Sequence, residues 1–236
     1  MSDIPVEIIK LLTVTLTREK QDILNPELET YTTATNYSIK TIFKKHIPNK
    51  QKAYEILRDD IQNKFIFVTR DGQPSDSVSF GRRFKYTTIT GYIPEKIKTK
   101  THQGIREIQR NPEELRLEFS QNYSEQYIND VLKTAAVEIT RYRKLAATIV
   151  SIRGKVPHIK EGTMILSGML VGIGEKTVNL LTLSGEVLSI PFDKRSRNRE
   201  IETLQEIERG DKKFDRVRLT WNKEGFLNVD IRLPRK

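Results

Sequence analysis

A basic segment interleaved with aromatic residues is the first candidate for chemistry in this sequence. Within residues 80–106, only Glu95 carries a negative charge. The segment contains seven cations: Arg82, Arg83, Lys85, Lys96, Lys98, Lys100 and Arg106. Its aromatic residues are Phe80, Phe84, Tyr86 and Tyr92. Because cations neutralise phosphates and aromatic rings stack on bases, this composition favours a nucleic-acid surface over the alternative, a solvated loop.

A second basic stretch, residues 141–160, has no acidic residue at all. Its cations are Arg141, Arg143, Lys144, Arg153, Lys155 and Lys160. The same two interpretations apply to it, a phosphate-binding surface or an ordinary solvated face.

Residue types for metal-dependent or covalent catalysis are few. The chain has no cysteine, which excludes disulfides, thiolate zinc sites and a cysteine nucleophile. Its three histidines, His46, His102 and His158, share no ligand-like spacing. Asp230 lies on the polar side of an alternating strand, which favours a solvated edge residue over a catalytic carboxylate. We therefore predict no catalytic residue, no metal and no cofactor.

Net charge indicates the class of partner. The 236-residue chain carries 41 Lys and Arg against 31 Asp and Glu, a formal charge of +10, which raises affinity for polyanions. No apolar run reaches the roughly 18 residues needed to span a bilayer, and the N-terminus lacks the features of a signal peptide. We expect a cytoplasmic protein that binds nucleic acid and no membrane.

Apolar periodicity predicts the elements that position these residues. A strand is expected in VEIIKLLTVTL, followed by a helix that Thr17 caps and that becomes regular near Pro26. Residues 52–65 and 127–145 are typical of amphipathic helices, with an irregular basic segment between them. The apolar face of the second helix comprises Ile128, Val131, Leu132, Ala135, Ile139 and Tyr142.

The remainder of the chain, from about residue 147, alternates β-formers with glycine-containing turns and predicts a small barrel or sandwich. It closes with a hairpin around Asn222–Gly225. A short amphipathic helix is expected between Arg199 and Gly210, with Gly210 as its C-terminal cap. The predicted fold class is α+β.

Several stretches, in this order, resemble the N-terminal half of the TnpB family, transposon-encoded RNA-guided nucleases related to type V CRISPR effectors. The stretch LTVTLTREKQDILNPELETYTTATNYSIKTIFK is similar to the family's opening strand and first helix, and AAVEITRYRKL to its last helix before the barrel. Two further stretches are similar to the family's barrel strands: IKEGTMILSGMLVGIGEKTVNLLTLSGEVLSIPF and FDRVRLTWNKEGFLNVDIRLP. The resemblance implies a wedge domain, residues 1–16 and 147–236, folded as a small oligonucleotide-binding-type β-barrel. Residues 17–146 would be an inserted helical recognition lobe.

The resemblance also implies which residues bind. It places nucleic acid at the junction of lobe and barrel, where we predict RNA contacts from Arg141, Arg143, Lys144, Arg153, Lys155 and Lys160. The composition of the basic aromatic segment, independently of the resemblance, predicts RNA contacts from Arg82, Arg83, Lys85, Lys96 and Lys98. Contacts to the DNA motif beside the target are expected from Asn36, Tyr37, Gln126, Tyr127, Asn129, Lys133 and Ser167. The helix supports this physically, because its buried apolar side would project Gln126, Asn129 and Lys133 outward from a rigid base. An ordinary solvated helix face is the alternative.

In the family, a GIDxG-type strand bearing the first catalytic carboxylate follows the segment similar to GFLNVDIRLP, whereas this sequence stops first. We therefore expect a non-catalytic subunit that binds a guide RNA scaffold and target DNA. It would work with a separate RuvC-like nuclease chain or alone as a DNA binder. Two alternatives stay open: half of a split nuclease that is active on reassembly, and a general RNA- or DNA-binding regulator without a guide.

Overall fold

The structure, a computed structural model, describes residues 7–66, 96–101, 104–109, 112–183, 187–222 and 224–234, and side chains in 7–65, 125–183, 187–222 and 224–234. Its helices are α1 (Arg18–Lys44), α2 (Lys50–Ile61), α3 (Pro112–Thr148), α4 (Lys194–Arg199) and α5 (Ile201–Arg209). A π-helical turn, Gln62–Ile66, extends α2, and a 3-10 turn, Val150–Ile152, follows α3. The strands are β1 (Ile8–Leu12), β2 (Lys96–Thr101), β3 (Gly104–Gln109), β4 (Thr163–Ser167), β5 (Val171–Ile173), β6 (Thr177–Leu181), β7 (Val187–Pro191), β8 (Arg216–Trp221) and β9 (Leu227–Arg232).

The main sheet has the antiparallel order β1-β9-β8-β4, so the first and last described strands are neighbours. Ile9 is paired with Ile231, and Leu11 with Val229, and all four side chains are buried. The predicted closing hairpin is confirmed as β8 and β9, with Gly225 at φ +87° in its turn. Alternation of buried apolar and more exposed polar residues along β9 gives this sheet one core-facing side.

The second sheet contains β5, β6 and β7 in sequence order. The stretch VGIGEKT forms the β5–β6 hairpin. A single bridge between Thr13 and Phe192 joins the segment after β1 to the end of β7. The α+β class is confirmed, and within the described strands the two sheets are separate ladders, without the pairing that would close a barrel.

Thr17 caps helix α1 as predicted, but the helix is regular from an earlier residue than expected. It starts at Arg18, with Thr17 as the N-cap, and continues through Pro26. The expectation of a regular start near Pro26 was wrong: proline's fixed φ is compatible with a helix, and the helix tolerates the loss of one backbone hydrogen bond there. Burial of Leu24 and Leu28 on either side of it stabilises this part of the helix.

Helices α1 and α3 pack on each other and on β4, and they share one continuous apolar core with both larger sheets. The predicted apolar face of α3 is confirmed: Ile128, Val131, Leu132, Ala135 and Ile139 are buried, and Tyr142 is half-buried. The segment before α3 was expected to be irregular, but residues 96–109 contain the β2–β3 hairpin.

Two smaller expectations have opposite outcomes. Helix α5 ends as predicted, with Gly210 at φ +83° in the left-handed conformation. Asp230, however, is not on an edge strand, because β9 lies between β1 and β8. It is half-buried, and its backbone partners are Lys10 and Arg218. The strand register therefore places this carboxylate opposite a cation on each neighbouring strand.

No described helix has a stretch that is both apolar enough and long enough to cross a membrane.

Candidate nucleic-acid interface

The outward face of α3 carries a stripe of polar and cationic residues, which we call the α3 stripe. Its members lie one, three or four positions apart, and two of them, Ala136 and Val137, are apolar: Gln126, Asn129, Lys133, Ala136, Val137, Thr140, Arg141 and Lys144. At about 1.5 Å per residue, the stripe extends about 27 Å from Gln126 to Lys144. Burial of the other side of the helix against α1 and the sheet fixes this face outward.

The carboxyl-terminal half of the stripe lines a groove of about 510 Å³. Its lining residues are Lys50, Lys133, Ala136, Val137, Thr140, Arg141 and Lys144. Four of these are cations and none is a carboxylate, although Asp215 contacts Lys133 Nζ at 3.6 Å. The lining includes Val137, which is 55% exposed. This basic groove, as we call it, therefore combines positive charge with an apolar surface.

The amino-terminal end of the described stripe meets strand β4. Gln126 Nε2 donates to Ser167 Oγ at 2.7 Å and to Asp130 Oδ1 at 3.2 Å. The backbone N–H of Ser167 donates to the other oxygen of Asp130 at 2.8 Å. Two segments predicted to contact DNA, one on α3 and one on β4, are thus joined directly by their side chains.

A buried polar network supports this junction. Arg216 Nη2 donates to Thr134 Oγ1 at 3.0 Å and lies 3.6 Å from Asp130 Oδ1. Tyr31 donates to the carbonyl of Ile165 at 2.7 Å. Burial raises the pKa of Asp130, and this effect is opposed by the hydrogen bond from the Ser167 N–H and by the charge of Arg216. Burial also raises the pKa of Tyr31.

Sequence reasoning missed Asp130, Tyr31 and Arg216 as a network. One signal was present in α3, where Asp130 stands one turn from both Tyr127 and Thr134, on the side that turns inward. No local pattern pairs it with Arg216, which is 86 residues away.

Two of the predicted DNA-contacting residues have structural partners elsewhere. Asn36 makes two hydrogen bonds to the backbone of Ile159, in the segment before β4. Its Oδ1 accepts from the N–H of Ile159 at 2.8 Å, and its Nδ2 donates to the carbonyl of Ile159 at 3.3 Å. Tyr37 donates to Asp60 at 2.7 Å and accepts from Lys64 at 2.8 Å. The Tyr37 hydrogen bond lowers the pKa of Asp60 and raises that of Lys64. Asn36 and Tyr37 therefore contact other elements rather than Gln126 or Ser167.

Tyr127 is removed from the candidate interface. Its side chain is only 1% exposed, and its ring packs edge-on against Tyr31 with the centroids 5.7 Å apart. The reason is its position on α3, one residue from Gln126 and so about 100° around the helix, on the apolar face. Asn129 is half-buried and Lys133 is exposed, as members of the stripe.

The predicted RNA-contacting residues have different surroundings. Arg141, Arg143 and Lys144 are exposed near the end of α3, as are Lys155 and Lys160 beyond it. Arg153 donates from Nε and Nη2 to the carbonyls of Ala146 and Ala147, at 2.8 and 3.1 Å, so it caps the end of α3.

The basic aromatic segment is only partly described. Arg82, Arg83 and Lys85 lie outside the described residues. Lys96 and Lys98 belong to β2, with Gln109 and Glu107 as their backbone partners on β3, and their side chains lie outside the described part. In the part of the chain whose side chains are described, no three histidine or acidic residues come close enough together to hold a metal ion.

No family model matches the chain. No curated protein matches it either.

Proposed function

We propose that this chain is a non-catalytic RNA-guided DNA-recognition subunit, which binds a guide RNA scaffold and target DNA. The observation that supports the proposal most is the α3 stripe, which has a basic groove at one end and the Gln126–Ser167 pair at the other. In this proposal the chain acts with a separately encoded RuvC-like nuclease chain or alone as a DNA binder.

The basic groove fits a nucleic-acid backbone. Phosphates would meet Lys50, Arg141 and Lys144, while a sugar or base would lie against the exposed Val137 side chain. Phosphate contacts of this kind give affinity and fix register without reading sequence. The neighbouring exposed cations Arg143, Lys155 and Lys160 would extend the same surface.

The opposite end of the stripe offers groups that can read bases. Amide and hydroxyl groups pair with base edges, and Gln126 and Ser167 are both half-buried at the α3–β4 junction. A stripe of about 27 Å spans about eight base pairs at ~3.4 Å each. One duplex could therefore contact the basic groove and the junction together.

We also propose that the two larger sheets belong to one small oligonucleotide-binding-type barrel, formed by residues 1–16 and 147–236. Residues 17–146 would be the inserted recognition lobe. Pairing of β1 with β9 supports the discontinuous domain, because it joins the start of the chain to its last strands. The Thr13–Phe192 bridge supports an approach of the two sheets.

Sequencing the RNA that co-purifies with the expressed chain tests this function. A guide-binding subunit should retain one defined RNA. Arg141→Ala with Lys144→Ala should bind a DNA duplex several-fold more weakly than the wild type. Lys194→Ala with Arg195→Ala is the matched control, because both residues are exposed on α4 and the charge lost is the same. Heterogeneous RNA would favour the guide-free regulator, and duplex binding unaffected by the groove variant would contradict the proposed surface.

The non-catalytic part of the proposal has its own test. The chain, incubated with DNA or RNA and Mg²⁺ or Mn²⁺, should show no cleavage, because two-metal hydrolysis needs converging carboxylates. Asp230→Ala is the informative variant, since Asp230 is the carboxylate at the position most similar to a catalytic one. Cleavage that persists through purification and disappears in this variant would contradict the proposal.

A further inference from the structure

The amide of Gln126 is held in one orientation. Its Nε2 group donates to two oxygens, Asp130 Oδ1 at 3.2 Å and Ser167 Oγ at 2.7 Å, which uses both of its N–H donors. An ionised carboxylate can only accept hydrogen bonds, so Asp130 decides which end of the amide faces it.

Burial raises the pKa of Asp130, but two neighbouring groups oppose this effect and stabilise the ionised form. The N–H of Ser167 donates to Oδ2 at 2.8 Å, and Arg216 Nη2 lies 3.6 Å from Oδ1. The side chain of Asp130 is 3% exposed and that of Arg216 is 8% exposed, so the pair is largely shielded from solvent. A buried carboxylate next to a guanidinium that remains charged at all ordinary pH values is stabilised as the anion.

The group of Gln126 that remains available at the junction is a hydrogen-bond acceptor. Ser167 Oγ accepts from Gln126 Nε2, and Asp130 accepts from both Gln126 Nε2 and the Ser167 N–H. Within the described residues, no side chain or backbone group donates to Gln126 Oε1. The half-buried junction therefore presents the carbonyl oxygen of Gln126, and not its amino group.

We propose that Asp130 is a positioning residue that makes Gln126 an acceptor-only reader, selecting a base that presents an exocyclic amine in the major groove. Those bases are adenine, through N6, and cytosine, through N4. Guanine O6 and thymine O4 would face the Gln126 oxygen as a second acceptor and be rejected. The inference rests on the proposed function, since it requires a DNA duplex along the α3 stripe.

Whether Gln126 reads a base as a hydrogen-bond acceptor is tested by selecting bound duplexes from a library with eight randomised base pairs. The chain is used with the RNA that it retains. One position should prefer adenine or cytosine by about tenfold, and Gln126→Ala should abolish that preference alone. Replacing the selected base by an analogue that lacks the exocyclic amine should weaken binding about tenfold in the wild type and leave Gln126→Ala unchanged. A Gln126-dependent preference for guanine or thymine would overturn the inference.

Asp130→Asn tests the positioning role. The new amide can accept from the Ser167 N–H and donate to Gln126 Oε1, which turns the Gln126 amino group outward. The preference at the same position should then shift to guanine or thymine, a change that loss of stability alone does not produce. An unchanged preference for adenine or cytosine in a cooperatively melting variant would show that Asp130 does not set the orientation.

Ser167→Ala keeps the Asp130 claim testable if Asp130→Asn does not fold. It removes the other acceptor of Nε2 and leaves Asp130, so the preference should keep its direction, and reversal would overturn the role of Asp130.

Variants of the basic groove distinguish failure of this inference from failure of the proposed function. DNA binding that depends on Arg141 and Lys144, with no position that depends on Gln126, contradicts this inference only, whereas absence of DNA binding contradicts the proposed function as well.

Discussion

At the residue scale, the most consequential group is the buried pair of Asp130 and Arg216. Their side chains are 3% and 8% exposed, so neither charge has much solvation by water. Each is compensated by the other and by hydrogen bonds, including those from Ser167 and to Thr134. Removing one partner leaves the other as an uncompensated buried charge, which is costly.

Arg216→Met should lower the free energy of unfolding by about 3 to 5 kcal/mol at neutral pH. The loss should be smaller at pH 5 than at pH 8. Burial already raises the pKa of Asp130 above 3.8, and removal of Arg216 raises it further. The folded variant then binds a proton that the unfolded chain has released, so its stability falls as pH rises through the raised pKa. Urea titrations at both pH values measure this difference.

A loss that is equal at both pH values would contradict the uncompensated charge on Asp130. Arg218→Met is the control, because Arg218 is exposed on the same strand and its removal should cost little at either pH.

Residue chemistry could be predicted from the sequence only in part. The cations of α3 were recognised from their excess, and their outward positions followed from the apolar period. Tyr127 was misplaced because the resemblance was transferred residue by residue, while the helical period alone puts it on the buried side. Arg153 looked like a phosphate ligand, and only the turn after α3 shows that its guanidinium reaches the last carbonyls.

At the element scale, the entrance to β4 depends on a glycine. Gly162 has φ +70°, and a Cβ added there would lie 2.9 Å from Trp221 Cβ on β8. Gly154 has a similar φ of +78° but open space around the position of a Cβ. The two glycines therefore separate backbone strain from a steric clash.

Gly154→Ala should cost about 1 kcal/mol of stability through left-handed strain alone. Gly162→Ala should cost at least about 1 kcal/mol more, because backbone or the Trp221 side chain must also shift. Thermal or urea unfolding of the two variants gives the comparison. Equal losses would mean that Trp221 does not pack over Gly162 as described.

Element positions were predictable where one period dominated, as in the buried face of α3 and the alternation of β9. The N-cap of α1 at Thr17 was predicted correctly, but the helix does not wait for Pro26 to become regular, because the local effect of this proline is outweighed by burial of Leu24 and Leu28 in the core. Pairing of β1 with β9 joins the two ends of the described chain, and no local signal in the residues specifies it.

At the scale of the whole molecule, the proposed function depends on one surface. Helix α3 is held by the core on one side and presents the basic groove and the Gln126–Ser167 junction on the other. The charge of +10 predicted a polyanionic partner without saying where it binds. The structure places four of the chain's cations in the basic groove around Val137, so this groove is where we expect the polyanion to bind.

The salt dependence of nucleic-acid binding tests this central claim most directly. The logarithm of the binding constant should fall linearly with the logarithm of salt concentration, and Arg141→Ala with Lys144→Ala should reduce the slope by about two units. The control pair, Lys194→Ala with Arg195→Ala, removes the same charge from α4 and should leave the slope within a few tenths of a unit. Equal slopes for the groove variant and the wild type would contradict the account, because the groove cations would then neutralise no phosphates.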